Sequence, residues 1–449
     1  MPSALEEIFK TYDIRGLYPE QLNAETAFSI ARAFASFLKC KTVAVGRDAR
    51  AGNEELFTGF SSGLAEQGCT VIDLGQISTD MIYFAVGNYG YDAGCMITAS
   101  HNPKEWNGFK LVGKGASGIS SETGLVEIKK IAESKSFSKP FAKGKVEKKG
   151  VWEDYAKKTL SFIDTKKIKP LHIAIDASNG MAAKAINAVE KKLPLRISKM
   201  FFDIDGSFPN HEPNPLDPNA LKGLQKKVVK EKADLGAIFD GDGDRMLMVD
   251  EKGKTVNGSE LTCLIASNFL KKCPKEKILY TPVMSKTVKE TIEANGGIPV
   301  VERVGHTFIK QRMRKDNVLF GGELSGHFYF RENFFADSAI IALLVVLEAV
   351  SVSGKKLSAM IKPYRKYYSI PETNFSVENK EAKLAEIEKT FAPKAKSTSK
   401  LDGFTADFGA WWFNVRLSGT ENKLRLNIEA GSKSLLAEKE RELSAFIKG

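Results

Sequence analysis

The chain has 449 residues, too many for one hydrophobic core, and this length predicts two to four domains. Its 43% hydrophobic and 27% charged residues are typical of folded chains and argue against extensive disorder. The net charge of +11 comes largely from lysines spread along helical patterns, without zinc-ligand spacing or an arginine-rich arm, so no nucleic-acid partner is expected.

The five cysteines are widely spaced and form no CxxC pair, so neither a disulfide framework nor a zinc site is predicted. The first ten residues lack the apolar stretch of a signal peptide. The most apolar segment, residues 339–350, is too short to span a bilayer and contains Glu348. With Asp337 or Ser338 as its cap it predicts a buried helix, and we expect no membrane partner and a cytoplasmic location.

Three segments repeat one order of an apolar run, a polar loop, a helical pattern and a second apolar run: residues 42–75, 171–205 and 278–304. Short buried strands that alternate with helices predict parallel βαβ units. A lysine-rich stretch, residues 134–150, is predicted to be a linker. After Pro363 the pattern changes to a helix around residues 381–391, two strands and a final helix.

These elements predict an α/β protein of four domains. Three are related mixed α/β domains that contain βαβ units, with bounds expected at residues 1–145, 146–252 and 253–362. The fourth, residues 363–449, is predicted to be a smaller C-terminal α+β domain.

The first polar motif is the Ser100 loop (residues 98–103, Thr-Ala-Ser-His-Asn-Pro), which follows an apolar run. A loop at the carboxyl end of a strand lies at the edge where α/β sheets usually bind ligands. A serine hydroxyl there is a candidate nucleophile once it is activated or modified. The same residues are equally compatible with an ordinary turn closed by Pro103.

The second motif is the aspartate loop (residues 240–245, Asp-Gly-Asp-Gly-Asp-Arg), set between two apolar runs. Three crowded carboxylates repel one another, and such oxygen ligands suit a hard dication such as Mg²⁺. Arg245 offers a fixed cation for a phosphate. An EF-hand is excluded because Arg245 stands where that loop requires glycine and the flanks read as strands, whereas a solvated acidic turn remains an alternative.

Two further motifs carry polar groups in patterned order. In the glycine-rich loop (residues 321–327), Glu323, Ser325 and His327 alternate and would face one way in an extended segment, as sugar hydroxyls require. The arginine loop (residues 416–421), with Arg425 in the next strand, offers a phosphate cradle. The glycine-rich loop could instead be an ordinary turn, and the arginine loop a hairpin whose arginines face solvent.

Two formal motif matches are discarded. Residues 59–63 match GxSxG but lie within a helical pattern rather than at a strand-to-helix turn. Residues 113–118 match GxGxxG without a clear following helix or acidic partner.

Together the four motifs supply a nucleophile, a dication site, a hydroxyl-binding loop and a phosphate cradle, the groups needed for phosphoryl transfer on a phosphosugar. In their order and spacing they resemble the α-D-phosphohexomutase superfamily over essentially the whole chain. The opening residues 9–16 (Phe-Lys-Thr-Tyr-Asp-Ile-Arg-Gly) and residues 206–216 resemble its phosphomannomutase/phosphoglucomutase branch. The resemblance implies four domains around a central cleft.

The resemblance also implies an isomerase that interconverts hexose 6-phosphate and hexose 1-phosphate, of mannose, glucose or both. Ser100 would carry the phosphoryl group, hexose 1,6-bisphosphate would be the intermediate, and one Mg²⁺ would be bound. The implied metal ligands are Ser100, Asp240, Asp242 and Asp244, and the implied catalytic residues are Ser100, His101, Lys110, Arg15, Arg245 and His327. The implied substrate-binding residues are Glu323, Ser325, His306, Arg416, Ser418, Gly419, Thr420 and Arg425.

Three other functions remain open from the sequence. Phosphoglucosamine mutases belong to the same superfamily, although their typical opening motif differs from residues 9–16. A phosphatase would use the same serine and metal but release phosphate to water. A non-catalytic sugar-phosphate-binding protein would have no need to keep Ser100 or the three aspartates, which are all present.

Overall fold

The apolar runs of the chain form strands and core helices, and the strands assemble into four separate sheets. The computed structural model describes residues 4–140, 142–418 and 423–449. The helices and strands of the first domain are α1 Ala4–Ile8, β1 Ile14–Leu17, α2 Ala24–Leu38, β2 Thr42–Arg47, α3 Asn53–Glu66, β3 Thr70–Gln76, α4 Thr79–Tyr89, β4 Ala93–Ile97, β5 Trp106–Gly113, β6 Ser117–Gly118, α5 Val126–Ser134 and β7 Val146–Lys148.

Both faces of the first sheet are buried. Along β2, Val43 and Val45 join a core cluster with residues of α2 and α3, whereas Ala44, between them, joins the core formed with α4. Because successive side chains of a strand point to opposite faces, a nearly continuous apolar run is what a sheet covered on both sides requires.

The second and third domains follow in the same style. The second contains α6 Trp152–Leu160, β8 Leu171–Asp176, α7 Ala182–Glu190, β9 Leu195–Met200, α8 Pro218–Glu231, β10 Leu235–Phe239, β11 Met246–Asp250 and β12 Thr255–Val256. The third contains α9 Gly258–Lys272, β13 Lys277–Tyr280, α10 Lys286–Ala294, β14 Ile298–Val301, α11 His306–Asp316, β15 Phe320–Gly322, β16 Phe328–Phe330, β17 Ala336–Asp337, α12 Ala339–Ser353 and α13 Leu357–Ile361.

These three sheets share one arrangement of five strands, which confirms the predicted repetition, although the outer strand β1 precedes its neighbours in the chain whereas β12 and β17 follow theirs. In each, three parallel strands stand side by side, in the orders β3-β2-β4, β9-β8-β10 and β14-β13-β15. Two antiparallel strands then extend the sheet from the last of them, as β5-β1, β11-β12 and β16-β17. The connection from the third parallel strand to its antiparallel neighbour contains the Ser100 loop, the aspartate loop and the glycine-rich loop, respectively.

The fourth domain is a mostly antiparallel sheet with two helices. Its elements are β18 Tyr368–Ser369, β19 Thr373–Ser376, α14 Lys380–Phe391, β20 Ser397–Ser399, β21 Phe404–Asp407, β22 Trp411–Leu417, β23 Lys423–Ala430 and α15 Lys433–Lys448. The strands are ordered β18-β23-β22-β21-β20, with β19 also paired to β23. Buried residues such as Phe391, Phe413 and Ile447 form its core.

Two local predictions have different outcomes. The predicted apolar helix is α12, and the Ile341 amide donates to Ser338 Oγ at 3.2 Å, which confirms Ser338 as its cap. The linker predicted over residues 134–150 is wrong in part, because β7 within it pairs with β3 and extends the first sheet. Within the described ranges, no helix combines the length and apolarity needed to cross a membrane.

The first three domains meet at one buried carboxylate. Asp80, in the first turn of α4, is 1% exposed. It accepts hydrogen bonds from Ser78 Oγ at 2.5 Å, from Tyr155 of the second domain at 2.6 Å and from Ser338 of the third domain at 2.6 Å. Burial raises the pKa of Asp80 to about 6, although these three hydroxyl donors oppose the shift. The junction therefore depends on a carboxylate with little access to water.

The raised pKa gives the junction a defined pH dependence. Native Asp80 retains a proton between about pH 4 and pH 6 that the unfolded chain has already lost, so its stabilising contribution is full below about pH 4 and is lost as pH rises through about 6. We expect the free energy of unfolding of Asp80→Asn, relative to wild type, to rise by about 2 kcal/mol from pH 4 to pH 7 in urea titrations. Asp205→Asn, at an exposed carboxylate whose pKa is lowered, is the control, and parallel pH curves for Asp80→Asn and wild type would contradict the expectation.

Candidate active site

The Ser100 loop connects β4 to β5 at the carboxyl edge of the first sheet. Ser100 is 2% exposed and has a φ of +53°, a left-handed conformation that is unfavourable for a residue with a side chain. Its backbone N–H donates to Thr98 Oγ1 at 2.8 Å. A buried serine held in a strained conformation favours the functional interpretation of this loop over an ordinary turn.

The side chain of Ser100 points to the second domain. Ser100 Oγ donates to Asp240 Oδ2 at 3.0 Å, and His101 Nδ1 lies 3.4 Å from Ser100 Oγ. Arg15, which also comes from the first domain, donates to the Ala99 carbonyl at 3.2 Å. The structure thus brings His101 to the Ser100 hydroxyl and Arg15 to the backbone of the same loop.

The aspartate loop is the turn of the β10–β11 hairpin, so antiparallel strands flank it and the rejection of an EF-hand is confirmed. Its glycines have separate uses. A Cβ on Gly241 would lie 2.7 Å from the Ser100 carbonyl oxygen, so only glycine allows this approach of the two loops. Gly243 has a φ of +76°, which turns the backbone so that the carboxylates on either side converge.

The carboxylates of this loop form a group that fits a dication. One oxygen each from Asp240, Asp242 and Asp244 lies within 4.8 Å of the others, and all three residues are buried. Asp242 Oδ1 and Asp244 Oδ1 have no hydrogen-bond donor within the described part of the chain. Buried anionic oxygens without donors are unfavourable, and a hard cation such as Mg²⁺ would satisfy them.

Cations from three domains surround these carboxylates. Lys110 comes from β5 of the first domain, Arg245 from the second and His327 from the third. The contacts are 2.7 Å from Lys110 Nζ to Asp242, 2.6 Å from Lys110 Nζ to Asp244, 2.9 Å from Arg245 Nε to Asp240, and 3.6 Å from His327 Nε2 to Asp244. The charge balance of the site therefore requires all three domains.

Burial and pairing set the protonation of these groups. Burial acts to lower the pKa of His327, but the adjacent carboxylates of Asp244 and Glu323 outweigh it and raise the pKa to about 9. Burial and nearby cations hold the pKa of His101 well below its usual value. Burial opposes the charge of Lys110, yet the adjacent aspartates raise its pKa above the usual range. At neutral pH His327 and Lys110 are cations and His101 is neutral.

The glycine-rich loop is a tight turn between β15 and β16 rather than an extended segment. It nevertheless brings the three alternating residues together, since His327 Nδ1 lies 2.9 Å from Ser325 Oγ and 3.3 Å from Glu323 Oε2. The Tyr329 hydroxyl donates to Glu323 at 2.5 Å and fixes its carboxylate. This polar cluster adjoins the aspartate loop through His327.

His306 begins α11 beside this cluster. Its Nε2 is buried without a hydrogen-bond partner among the described residues, so it is available to a ligand. The ring of Tyr12 meets His306 edge-on with centroids 6.1 Å apart. Burial, together with the charges of Asp402 and Glu323, raises the pKa of Tyr12 to about 12. Residues of the first, third and fourth domains therefore approach one cleft.

The arginines of the fourth domain lie side by side on β22 and β23. Glu372 binds both: Arg416 NH2 at 2.9 Å and Arg425 NH1 at 3.2 Å. The Nε atoms of both arginines are buried without acceptors within the described ranges, as an anion-binding pair requires. Ser418, at the end of β22, is 2% exposed, and Gly419 and Thr420 lie outside the described residues.

Several residues that complete the site carry no mark of their role in the sequence. Thr79 Oγ1 donates to Asp242 Oδ2 at 2.5 Å, which links α4 to the aspartate loop. Glu372 aligns the two arginines, and the Val304 amide donates to Asp402 at 3.0 Å across the third and fourth domains. Each is a single polar residue without a local motif, so no pattern in the sequence marks it.

Comparison with known families covers nearly the whole chain. Four family models match: "Phosphoglucomutase/phosphomannomutase, alpha/beta/alpha domain I" over residues 6–139, domain II over 153–253, domain III over 257–367, and the C-terminal domain over 372–445. These matches place the four motifs in four successive modules of one family.

Individual relatives agree with the family match. The chain is 37% identical to a phosphomannomutase of Salmonella typhimurium over 448 residues, covering 98% of both chains. It is also 37% identical to a protein of Xanthomonas campestris named "Phosphohexose mutases", covering 98% of this chain and 99% of the relative. A crystal structure of a phosphoglucomutase/phosphomannomutase family protein from Burkholderia thailandensis superposes with a TM-score of 0.91 at 29% identity, covering 100% of this chain and 98% of the other. The chain belongs to the phosphoglucomutase/phosphomannomutase family.

Proposed function

We propose that the chain is a phosphohexose mutase that interconverts the 6-phosphates and 1-phosphates of mannose, glucose or both. The observation that carries the proposal is the buried Ser100 hydroxyl, 3.0 Å from Asp240 in a group of three converging aspartates. The likeness of the chain to a relative named phosphomannomutase supports the substrate class. Phospho-Ser100 would transfer its phosphoryl group to a hexose monophosphate, and the resulting hexose 1,6-bisphosphate would turn over and return its other phosphoryl group to Ser100.

Asp240, Asp242 and Asp244, with the phosphorylated oxygen of Ser100, are the proposed ligands of one Mg²⁺. Bound there, Mg²⁺ would polarise the phosphoryl oxygens and offset the charge that they develop. Arg245, fixed against Asp240, contributes a second positive charge on the same side of the site. The unpartnered oxygens of Asp242 and Asp244 support this assignment.

Proton transfer is assigned to the residues around the reacting oxygens. When a sugar hydroxyl attacks phospho-Ser100, it must lose a proton, and the Oγ–P bond of Ser100 breaks as the new P–O bond forms. The net proton moves from the sugar hydroxyl to the leaving Ser100 Oγ. His327 and Lys110, both cations at neutral pH, are suited to donate a proton to that oxygen, to accept the sugar proton in its place, and to stabilise negative charge. Arg15 stabilises the same charge, and His101 orients Ser100 or its phosphate.

The remaining residues bind the part of the substrate that does not react. Glu323, Ser325 and His306 are placed to bind sugar hydroxyls, which are common to both orientations of the intermediate. Arg416 and Arg425, with Ser418, Gly419 and Thr420, are the proposed clamp for the distal phosphate. Binding energy from that phosphate then contributes to the chemical step at Ser100.

The first test is a mutase assay with glucose 1-phosphate, mannose 1-phosphate or glucosamine 1-phosphate, Mg²⁺ and trace hexose 1,6-bisphosphate. We expect interconversion of the glucose or mannose phosphates, and Ser100→Ala to lower kcat by about 10⁴-fold or more because the nucleophile is lost. Ser61→Ala, at a buried serine within α3, is the matched control. Intact mass should show one added phosphoryl group on wild type and none on Ser100→Ala.

The outcomes of this assay separate the alternatives. Conversion of glucosamine phosphate alone would indicate a phosphoglucosamine mutase, and phosphate release without isomerisation would indicate a phosphatase. Binding of hexose phosphates with no turnover would indicate a sugar-phosphate-binding protein. Native rates in Ser100→Ala would remove the basis of the proposal.

Metal removal provides a second expectation. EDTA should abolish turnover and added Mg²⁺ should restore it, because the crowded carboxylates need a dication to bind a phosphoryl group. Asp244→Asn should raise the Mg²⁺ concentration at half-maximal rate by about 100-fold. Asp73→Asn, at a buried aspartate paired with Arg47, is the control. Activity that persists after exhaustive chelation would contradict the metal assignment.

A third expectation concerns the phosphate clamp. Arg416→Ala should lower kcat/KM by about 100-fold, since a largely buried arginine, 13% exposed and proposed to pair with the phosphate, is lost. Steady-state kinetics with glucose 1-phosphate measure the change, and Arg441→Ala on the exposed surface of α15 is the control. Unchanged kcat and KM in Arg416→Ala would exclude a clamp at this position.

A further inference from the structure

Arg50 is a buried arginine that the reaction described above does not use, and it lies directly against the Ser100 loop. It follows β2 by three residues and is 2% exposed. Its guanidinium donates to four backbone carbonyl oxygens in and beside that loop: Ser100 at 2.8 Å, Asn102 at 2.6 Å, Pro103 at 2.8 Å and Trp106 at 3.0 Å. A single side chain therefore binds four carbonyl oxygens along and just beyond the turn that carries the proposed nucleophile.

Arg50 also acts on the backbone amide of Ser100, through Asp48 and Thr98. Arg50 Nε lies 3.4 Å from Asp48 Oδ2, which accepts from Thr98 Oγ1 at 2.6 Å. Thr98 Oγ1 in turn accepts from the Ser100 amide. Both the amide and the carbonyl of Ser100 are thus tied, directly or through one residue, to the Arg50–Asp48 pair. A left-handed serine persists only where its surroundings determine its conformation, and these contacts provide that determination.

The second domain covers the guanidinium. The ring of Phe208 lies over Arg50 at 4.9 Å from ring centroid to Cζ. The same ring borders the aspartate loop, since a Cβ on Gly241 would be 3.2 Å from Phe208 Cζ. Phe208 excludes water from the arginine and connects it to the loop that bears the metal ligands. Arg50 is therefore placed to set the distance between the two reacting loops.

We propose that Arg50 is a positioning residue for phosphoryl transfer: its forked guanidinium holds the Ser100 loop in the reactive conformation against the aspartate loop. The assignment rests on the proposed mutase function. It depends on the planar fork rather than on charge alone, because a lysine in this place could not reach four carbonyl oxygens at once.

Arg50→Lys tests the assignment, with Arg47→Lys as a closely matched control. Arg47 is 9% exposed, pairs with Asp73 at 2.7 Å and lies over the ring of Phe57 at 4.3 Å, but its contacts point away from the Ser100 loop. We expect Arg50→Lys to lower kcat by about 100-fold with KM changed less than about threefold, since small displacements of reacting groups carry this cost. Arg47→Lys should keep kcat within about threefold of wild type. Its thermal midpoint should fall by about as much as that of Arg50→Lys.

Single-turnover measurements give a readout that loss of stability alone would not change. Phosphorylated Arg50→Lys enzyme should transfer its phosphoryl group to glucose 1-phosphate more slowly than wild type and lose a larger share to water. Equal kcat values for Arg50→Lys and Arg47→Lys, or rates that follow the thermal midpoint alone, would overturn the assignment. Wild-type enzyme without mutase activity would instead contradict the proposed function.

Phe208→Leu decides the question if Arg50→Lys does not fold. This change keeps an apolar cover but removes the aromatic face over the guanidinium, and we expect kcat to fall by about threefold to tenfold with little change in KM. If the Phe208→Leu enzyme keeps the wild-type kcat and loses no larger share of its phosphoryl groups to water, the positioning role of Arg50 is overturned.

Discussion

The crowding of three buried carboxylates is the constraint on which the site depends. Asp240, Asp242 and Asp244 repel one another, and this arrangement persists only because cations lie against it. The structure supplies those cations from separate domains, with Lys110 from the first and His327 from the third. The charge of the three carboxylates is therefore balanced only when the domains pack correctly against one another.

The repeated topology explains how residues far apart in sequence reach that constraint. Each of the first three sheets ends its parallel strands in a connection to an antiparallel neighbour, and a different motif occupies that connection in each domain. One module thus presents the proposed nucleophile, the next the hairpin proposed to bind a metal, and the third a polar turn. The candidate site is therefore divided among equivalent positions of three similarly arranged sheets.

The sequence predicted those parts of the protein that are local. The βαβ order, the buried helix capped by Ser338 and the four polar motifs are each visible within a short window. Arg50, Glu372 and Asp80 were not predicted to matter, because each acts on residues at least 44 positions away and belongs to no recognisable pattern. The linker prediction failed at β7 because a three-residue strand with exposed side chains has no apolar signature.

The junction at Asp80 has a consequence for how the cleft can open. The first three domains share a carboxylate sealed from water, whereas one of the contacts that join the third domain to the fourth is the ion pair of Lys286 and Asp407, whose side chains are 24% and 34% exposed. Water can replace an exposed ion pair at little cost, but it cannot readily enter the sealed one. In the proposed reaction the intermediate must turn end over end. The difference between the two junctions favours outward movement of the C-terminal domain for this step, which would leave the proposed nucleophile and the proposed metal ligands in their mutual geometry.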